Sequence, residues 1–189
     1  SFQWLRNTLG TAEVQQARKS KTDPYELLTA QAAEAPIGCE GVFWLPYLTG
    51  ERTPHNDPLA RAGWIGITQR TTRNDLIRSV MEGATFGMND VLTILRQRGM
   101  KARQIRLSGG GARSDFWRQM QADIYNATCA TINAEEGPAY GAAILAAVGA
   151  GEYPSVPAAC KAVIDVTRTI KPRKAFARYY ARLHEQYRR

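Results

Sequence analysis

Cysteine and histidine are scarce in this sequence. Cys39, Cys129 and Cys160 stand far apart with no CxxC pair among them, and His55 and His184 are the two histidines. A structural zinc site needs about four converging ligands, so no metal site is read here. Three widely spaced thiols are read as free and buried in a reducing cytoplasm rather than as a disulfide framework. No apolar run approaches the roughly 20 residues of a membrane-spanning helix, so no membrane partner is expected. The opening Ser1-Phe2-Gln3-Trp4-Leu5-Arg6 lacks the basic-then-apolar pattern of a signal peptide. It also lacks an initiator Met and reads as the middle of an amphipathic helix, so a piece of a longer polypeptide is expected.

Acidic side chains are outnumbered, 17 against 25 basic, for a net charge of +8. The imbalance is local. Residues 168–189 hold eight Lys and Arg against Glu185 alone, while the other 167 residues are within one charge of neutral. A basic tail can neutralise nucleic-acid phosphates, but no recognition motif accompanies it. A solvated helix face, or one facing an acidic partner lobe, is the reading, with no nucleic-acid partner. The length of 189 residues, 44% of them hydrophobic, suits one sizeable domain or a lobe of a larger protein.

The pattern predicts helices over 2–19 and 24–35, the second opened by Asp23-Pro24 with proline at its first position. Val42-Phe43-Trp44-Leu45 reads as a strand ended by Pro46, and Gly63-Trp64-Ile65-Gly66-Ile67 as a second. Thr72 is a good cap for a long helix over 73–98, whose apolar face runs Leu76, Val80, Ala84, Met88, Val91, Leu95. Gly83 and Gly87 inside it each cost about 1 kcal/mol of helix propensity. That implies close packing against the helix backbone, for structural reasons or for a ligand. Gln104 to Ser108 reads as a strand, Gly109-Gly110-Gly111 as a turn, Ser114 to Tyr125 as a helix, and Ala130-Thr131-Ile132 as a strand. Glu135-Glu136-Gly137-Pro138 then opens a helix of small residues over 139–149, and helices near 155–164 and 174–187 finish the chain. Strands alternating with helices give an α/β layer pattern.

A strand running into three glycines and then a helix suits a phosphate or an adenosine group. Glycines let a ligand approach the backbone, and free N–H groups at the helix start carry a partial positive charge. The motif is neither GxxxxGK[ST] nor GxGxxG. On residue pattern alone, a tight turn without a ligand explains it as well, and Ser114 and Asp115 also read as helix caps.

Four ordered segments carry a family resemblance. They are Phe43-Trp44-Leu45-Pro46-Tyr47-Leu48-Thr49-Gly50-Glu51-Arg52-Thr53-Pro54-His55; Ala62 to Ile67 followed by Asp75 to Gly83; Leu107 to Ser114 with Trp117; and Gly137-Pro138-Ala139-Tyr140-Gly141-Ala142-Ala143. In this order and spacing the chain resembles the C-terminal lobe of the FGGY carbohydrate kinases, and within them the xylulose kinases. The resemblance implies an actin-like, ribonuclease-H-like ATPase lobe with a C-terminal helical extension. Residues 1–35 would be leading helices, 36–151 the nucleotide-binding core and 152–189 the extension. It implies ATP and Mg2+ as cofactors, a small-molecule sugar as substrate, and an N-terminal lobe of the same polypeptide as partner, with a homodimer left open. Gly109, Gly110 and Gly111 would pass close to the adenosine and its first phosphates. Ser114 stands where relatives often carry an adenine-contacting Asn, and Gln3 matches a nucleotide-contacting Gln of glycerol kinases. No catalytic residue is assigned to this chain. The aspartate base and a Gly-Thr phosphate hairpin are expected in the N-terminal lobe, so the chain alone is expected to lack kinase activity. For the intact protein the resemblance implies phosphorylation of D-xylulose to D-xylulose 5-phosphate, with a kinase for another pentulose, hexose or polyol of the family, or a non-catalytic actin-like nucleotide-binding module, as the alternatives.

The remaining conspicuous residues read as structural. Glu51 and Arg52 are expected to pair in a loop, His55 to be polar surface, Asp57 to make an Asx turn before Pro58, and Trp44, Trp64 and Trp117 to pack in the core.

Overall fold

A computed structural model describes residues 1–134 and 137–189. Glu135 and Glu136, read above as opening a helix, lie outside the described residues. Helices α1 (Phe2–Leu9), α2 (Thr11–Ser20) and α3 (Pro24–Glu34) lead the chain. The single helix expected over 2–19 is two, because the chain folds back tightly at Gly10. A Cβ there would sit 2.8 Å from the Arg6 carbonyl oxygen, and the Gly10 N–H instead donates to the Leu5 and Arg6 carbonyls. The start of α3 is as expected, with Asp23 Oδ1 accepting from the Tyr25 N–H at 2.9 Å.

Strand β1 (Phe43–Leu45) pairs antiparallel with β2 (Gly63–Ile65), Trp44 opposite Trp64. The long helix α4 (Arg73–Gln97) lies against β1. It opens on a reciprocal cap: Thr72 Oγ1 accepts from the Asp75 N–H, and Asp75 Oδ2 accepts from the Thr72 N–H at 2.8 Å. Gly83 shows why glycine interrupts this helix. A Cβ there would stand 2.1 Å from the Trp44 carbonyl oxygen, so the strand rests directly on the helix backbone. Trp4, Trp44 and Trp64 form one aromatic cluster with centroids 4.6 to 5.9 Å apart, and the Trp64 Nε1–H donates to Ser79 Oγ. Trp44 and Trp64 are core residues, as read.

Beyond α4, β3 (Ile105–Arg106) runs parallel to β4 (Cys129–Ile132), joined by α5 (Asp115–Tyr125). Then come α6 (Gly137–Gly149), α7 (Val156–Val163), β5 (Val166–Ile170) and α8 (Lys174–Tyr187). The sequence reading placed only linker between the last two helices. Instead, the β-branched run Val166-Thr167-Arg168-Thr169-Ile170 adds antiparallel to β4, making a three-stranded sheet in the order β3-β4-β5.

The basic tail finds acidic partners within the lobe. Arg173 donates three hydrogen bonds to the fully buried Asp123. His184 and Arg188 meet the buried Asp90 at 3.0 and 3.1 Å, and Arg168 reaches Asp115 at 2.7 Å. Deeper still, Arg78 and Glu82 pair at 2.7 Å one helical turn apart. Tyr180 of α8 donates to Glu82, Arg78 donates to Tyr180, and the Gly38 N–H donates to Glu82. One carboxylate thus ties α4, α8 and the turn at Gly38 together.

Candidate functional site

The glycine turn follows directly from β3. Gly109 takes φ +73, a left-handed conformation that glycine adopts without strain, and a short 3-10 turn covers Gly110–Ala112. Ser114 then caps α5, its Oγ accepting from the Trp117 N–H at 3.2 Å. This cap points the first turn of α5 at the same space the glycines border.

That space is a cavity of about 700 Å³. Gly110, Gly111 and Ser114 line one side. Phe2 and Gln3 of α1 with Tyr25, Glu26 and Thr29 of α3 line the other, and Phe116 and Trp117 line a third. Four of the five residues expected at the site, Gln3, Gly110, Gly111 and Ser114, therefore share one cavity although Gln3 and Gly110 lie 107 positions apart. The fold alone brings these stretches together. Gly109 faces a neighbouring polar cavity of about 420 Å³, lined also by Ser108, Thr131 and Arg168.

The walls suit a flat, uncharged group. The Trp117 Nε1–H donates to Thr85 Oγ1 at 3.0 Å, which fixes the indole. Phe2 meets that indole edge-on at 5.3 Å, and the Phe2 ring in turn lies tilted against Tyr25 at 5.5 Å. Trp117 therefore belongs both to the packing read for it and to the cavity wall. The polar rim carries Asp23, Glu26 and Asp115. Asp115 is hydrogen-bonded by Arg118 and also paired with Arg168, which hold its carboxyl below the usual carboxylate range. With Arg113 the one cation against these three carboxylates on the rim, the cavity favours the nucleoside end of a nucleotide over its phosphates.

Gly110 is the informative position. Its φ lies outside the left-handed region, and apart from its two chain neighbours no atom of the described residues comes within 4 Å of where its Cβ would be. Among the described residues no side-chain clash calls for glycine there, and its backbone is open to the cavity. The cavity's other contributors, Phe2, Tyr25, Glu26 and Thr29, were not identified from sequence. Asp23-Pro24 signals a helix start, but no local pattern says which face of that helix meets the glycine turn.

The other charged residues settle as structure. Glu51 Oε2 accepts from the N–H groups of His55 and Asn56 at 2.7 and 2.9 Å. The expected Glu51–Arg52 pair is not formed: Arg52 is exposed and makes no ion pair among the described residues. Backbone amides four and five positions ahead satisfy Glu51 instead. Asp57 makes its Asx turn, accepting from the Leu59 N–H at 2.8 Å, and His55 is exposed. Among the described residues no group of three or more His, Cys, Asp or Glu is placed to hold a metal ion.

An α/β lobe with a ligand-sized cavity where a strand turns through glycines into a helix defines the class. The chain belongs to the FGGY family of carbohydrate kinases: the model of that family's C-terminal domain matches residues 1–150. It is 38% identical over 172 residues to the xylulose kinase of Staphylococcus epidermidis, covering 91% of this chain and 33% of that protein. The solved ligand-bound xylulose kinase of Lactobacillus acidophilus superposes with a TM-score of 0.83 at 28% identity, over 98% of this chain and 36% of that one. The gluconate kinase of the same organism superposes with the same TM-score, identity and coverage. The fold is thus the actin-like α/β lobe read from the sequence, and the chain spans about a third of the length of its relatives.

Proposed function

We propose that this lobe grips the adenosine end of ATP for an enzyme that transfers the γ-phosphoryl group to a sugar hydroxyl, converting D-xylulose to D-xylulose 5-phosphate. The observation that carries the reading is Gly110, a glycine that no side-chain clash among the described residues calls for, its backbone open to an aromatic cavity. Base and ribose enter between Tyr25, Trp117 and the glycine backbone. The first phosphate then lies near the N–H groups of Gly110 and Gly111. Phosphoryl transfer needs positioning and charge neutralisation more than covalent chemistry from the protein. The contribution of these residues is to fix one end of the donor while the rest of the enzyme aligns the acceptor. Residues 1–35, 36–151 and 152–189 are read as leading helices, nucleotide core and C-terminal extension of one lobe. Mg2+ accompanies the phosphates, and the partner is an N-terminal lobe. Three free thiols, two of them buried, fit a cytoplasmic setting.

Calorimetric titration with MgATP tests this. Gly110→Val should weaken binding at least about tenfold and leave the melting temperature unchanged. Unaltered affinity in a folded variant would overturn the assignment. A salt-sensitive gel shift with DNA, in place of ATP binding, would instead favour a nucleic-acid role for the tail. A second reading, phosphorylation of gluconate or another polyol, is favoured by the equal match to the gluconate kinase. Comparing kcat/KM for D-xylulose and gluconate in the whole enzyme separates the two.

A further inference from the structure

Arg118 and Gln121 stand about one helical turn apart on α5, and neither lines the cavity of about 700 Å³. Both nevertheless reach the glycine turn and donate to its carbonyl oxygens. Gln121 Nε2 meets the Gly111 carbonyl at 3.2 Å. Arg118 Nη1 donates to the carbonyls of Ala112 and Arg113, the latter at 3.0 Å. The guanidinium is itself held in place. Arg118 is 8% exposed, its Nη2 donates to Asp115 Oδ1, and the same carboxylate oxygen pairs with Arg168 of β5 at 2.7 Å. Burying a guanidinium is costly unless it is hydrogen-bonded, and two of the bonds that satisfy this one go to the turn.

The planar peptide bond carries these contacts across the turn, because in a trans peptide the C=O and the following N–H point in opposite directions. Fixing the Gly111 carbonyl therefore aims the Ala112 N–H, which donates to the Gly109 carbonyl at 3.0 Å. Fixing the Ala112 carbonyl aims the Arg113 N–H, which donates to the Gly110 carbonyl at 3.2 Å. The Gly109 and Gly110 carbonyls, so held, turn the Gly110 and Gly111 N–H groups the other way. Neither of those N–H groups meets an acceptor among the described residues, and both glycines line the cavity. Glycine is the residue least able to keep one backbone conformation unaided, so a turn with three of them needs such outside ties.

We infer that Arg118 and Gln121 are positioning residues for nucleotide binding: they hold the Gly111, Ala112 and Arg113 carbonyls so that the Gly110 and Gly111 N–H groups stay aimed at the first phosphate. This rests on the nucleotide reading of the cavity. It divides recognition in two. Grip on the phosphate depends on these side chains, whereas grip on base and ribose depends on the aromatic walls and does not.

Calorimetric titration of the chain with MgADP and with adenosine tests the division. Gln121→Leu keeps the bulk of the side chain and loses the donor, and should weaken MgADP binding at least about threefold. Arg118→Met should weaken it at least about tenfold, and Arg118→Lys, which retains a charged donor, should lose less. Adenosine affinity should be unchanged in all three, whereas a merely structural role would lower both affinities together or neither. Should Arg118→Met fail to fold, Gln121→Leu decides alone. A folded Gln121→Leu that binds MgADP as tightly as the wild type, one that loses adenosine in equal proportion, or a wild type that binds adenosine as tightly as MgADP would overturn the proposal and leave the nucleotide reading standing. A wild type that binds neither ligand would overturn both.

Discussion

Glu82 is the residue around which much of the lobe is ordered. It is 2% exposed, and its oxygens take hydrogen bonds from Arg78, Tyr180 and the Gly38 amide. Removing one partner of a buried pair leaves an uncompensated charge, at a cost of about 3–5 kcal/mol. Arg78→Met should therefore shift the urea midpoint strongly downward, whereas Arg78→Met with Glu82→Leu should recover part of the loss. Only the Arg78 pairing one turn away is local; that Glu82 also holds α8 and Gly38 could not be read in sequence, because those partners lie 98 and 44 positions away. The thiols give a second residue-scale expectation. Burial pushes the Cys129 thiol up to about 12, and burial pushes Cys39 higher, helped by the Glu82 charge. In the unfolded chain these thiols ionise near their ordinary value of 9.0. The unfolded state then holds fewer protons than the folded one, so stability is intact below about pH 8.5 and falls as pH rises above it. Cys39→Ala with Cys129→Ala should flatten the loss of unfolding free energy between about pH 8.5 and 10. An equal slope in the variant would refute this. Labelling of the native protein should reach Cys160, which is partly exposed, well before the other two.

At the level of elements, α4 and its contact with β1 set the geometry of the first half. Gly83→Ala would drive a methyl group into the Trp44 carbonyl. Overpacking of this kind costs typically 1–3 kcal/mol, so a fall in melting temperature of several degrees is expected by calorimetry. Gly87→Ala, whose Cβ would stand 3.4 Å from a Pro46 ring carbon, should be far milder. This contrast also separates what was legible in sequence from what was not. The 3-4 spacing of apolar residues, the Thr72 and Ser114 caps and the strand into Gly109 marked α4, α5 and β3, since each is a local pattern. The break at Gly10 and the strand Val166–Ile170 were not foreseen, because a fold-back and a pairing with β4 are decided by distant partners. Likewise the glycine turn was visible, while the α1 and α3 side chains opposite it were supplied by tertiary packing.

For the molecule as a whole, the proposed division of labour has a direct consequence. This chain alone, given MgATP and D-xylulose, should show no turnover above background in a coupled assay while still binding the nucleotide. Substantial turnover would refute the division. The anchoring of α8 limits how the lobe can be shortened. Asp90, Asp123 and Glu82 are each buried, and each takes its principal cationic or hydroxyl partners from residues at or beyond Arg173, apart from Arg78 at Glu82. A version clipped after Pro172 would strand two anions in the interior and weaken the grip on a third. The last helix is best regarded as a keystone put in late, and proteolysis there should unravel the arch rather than trim it.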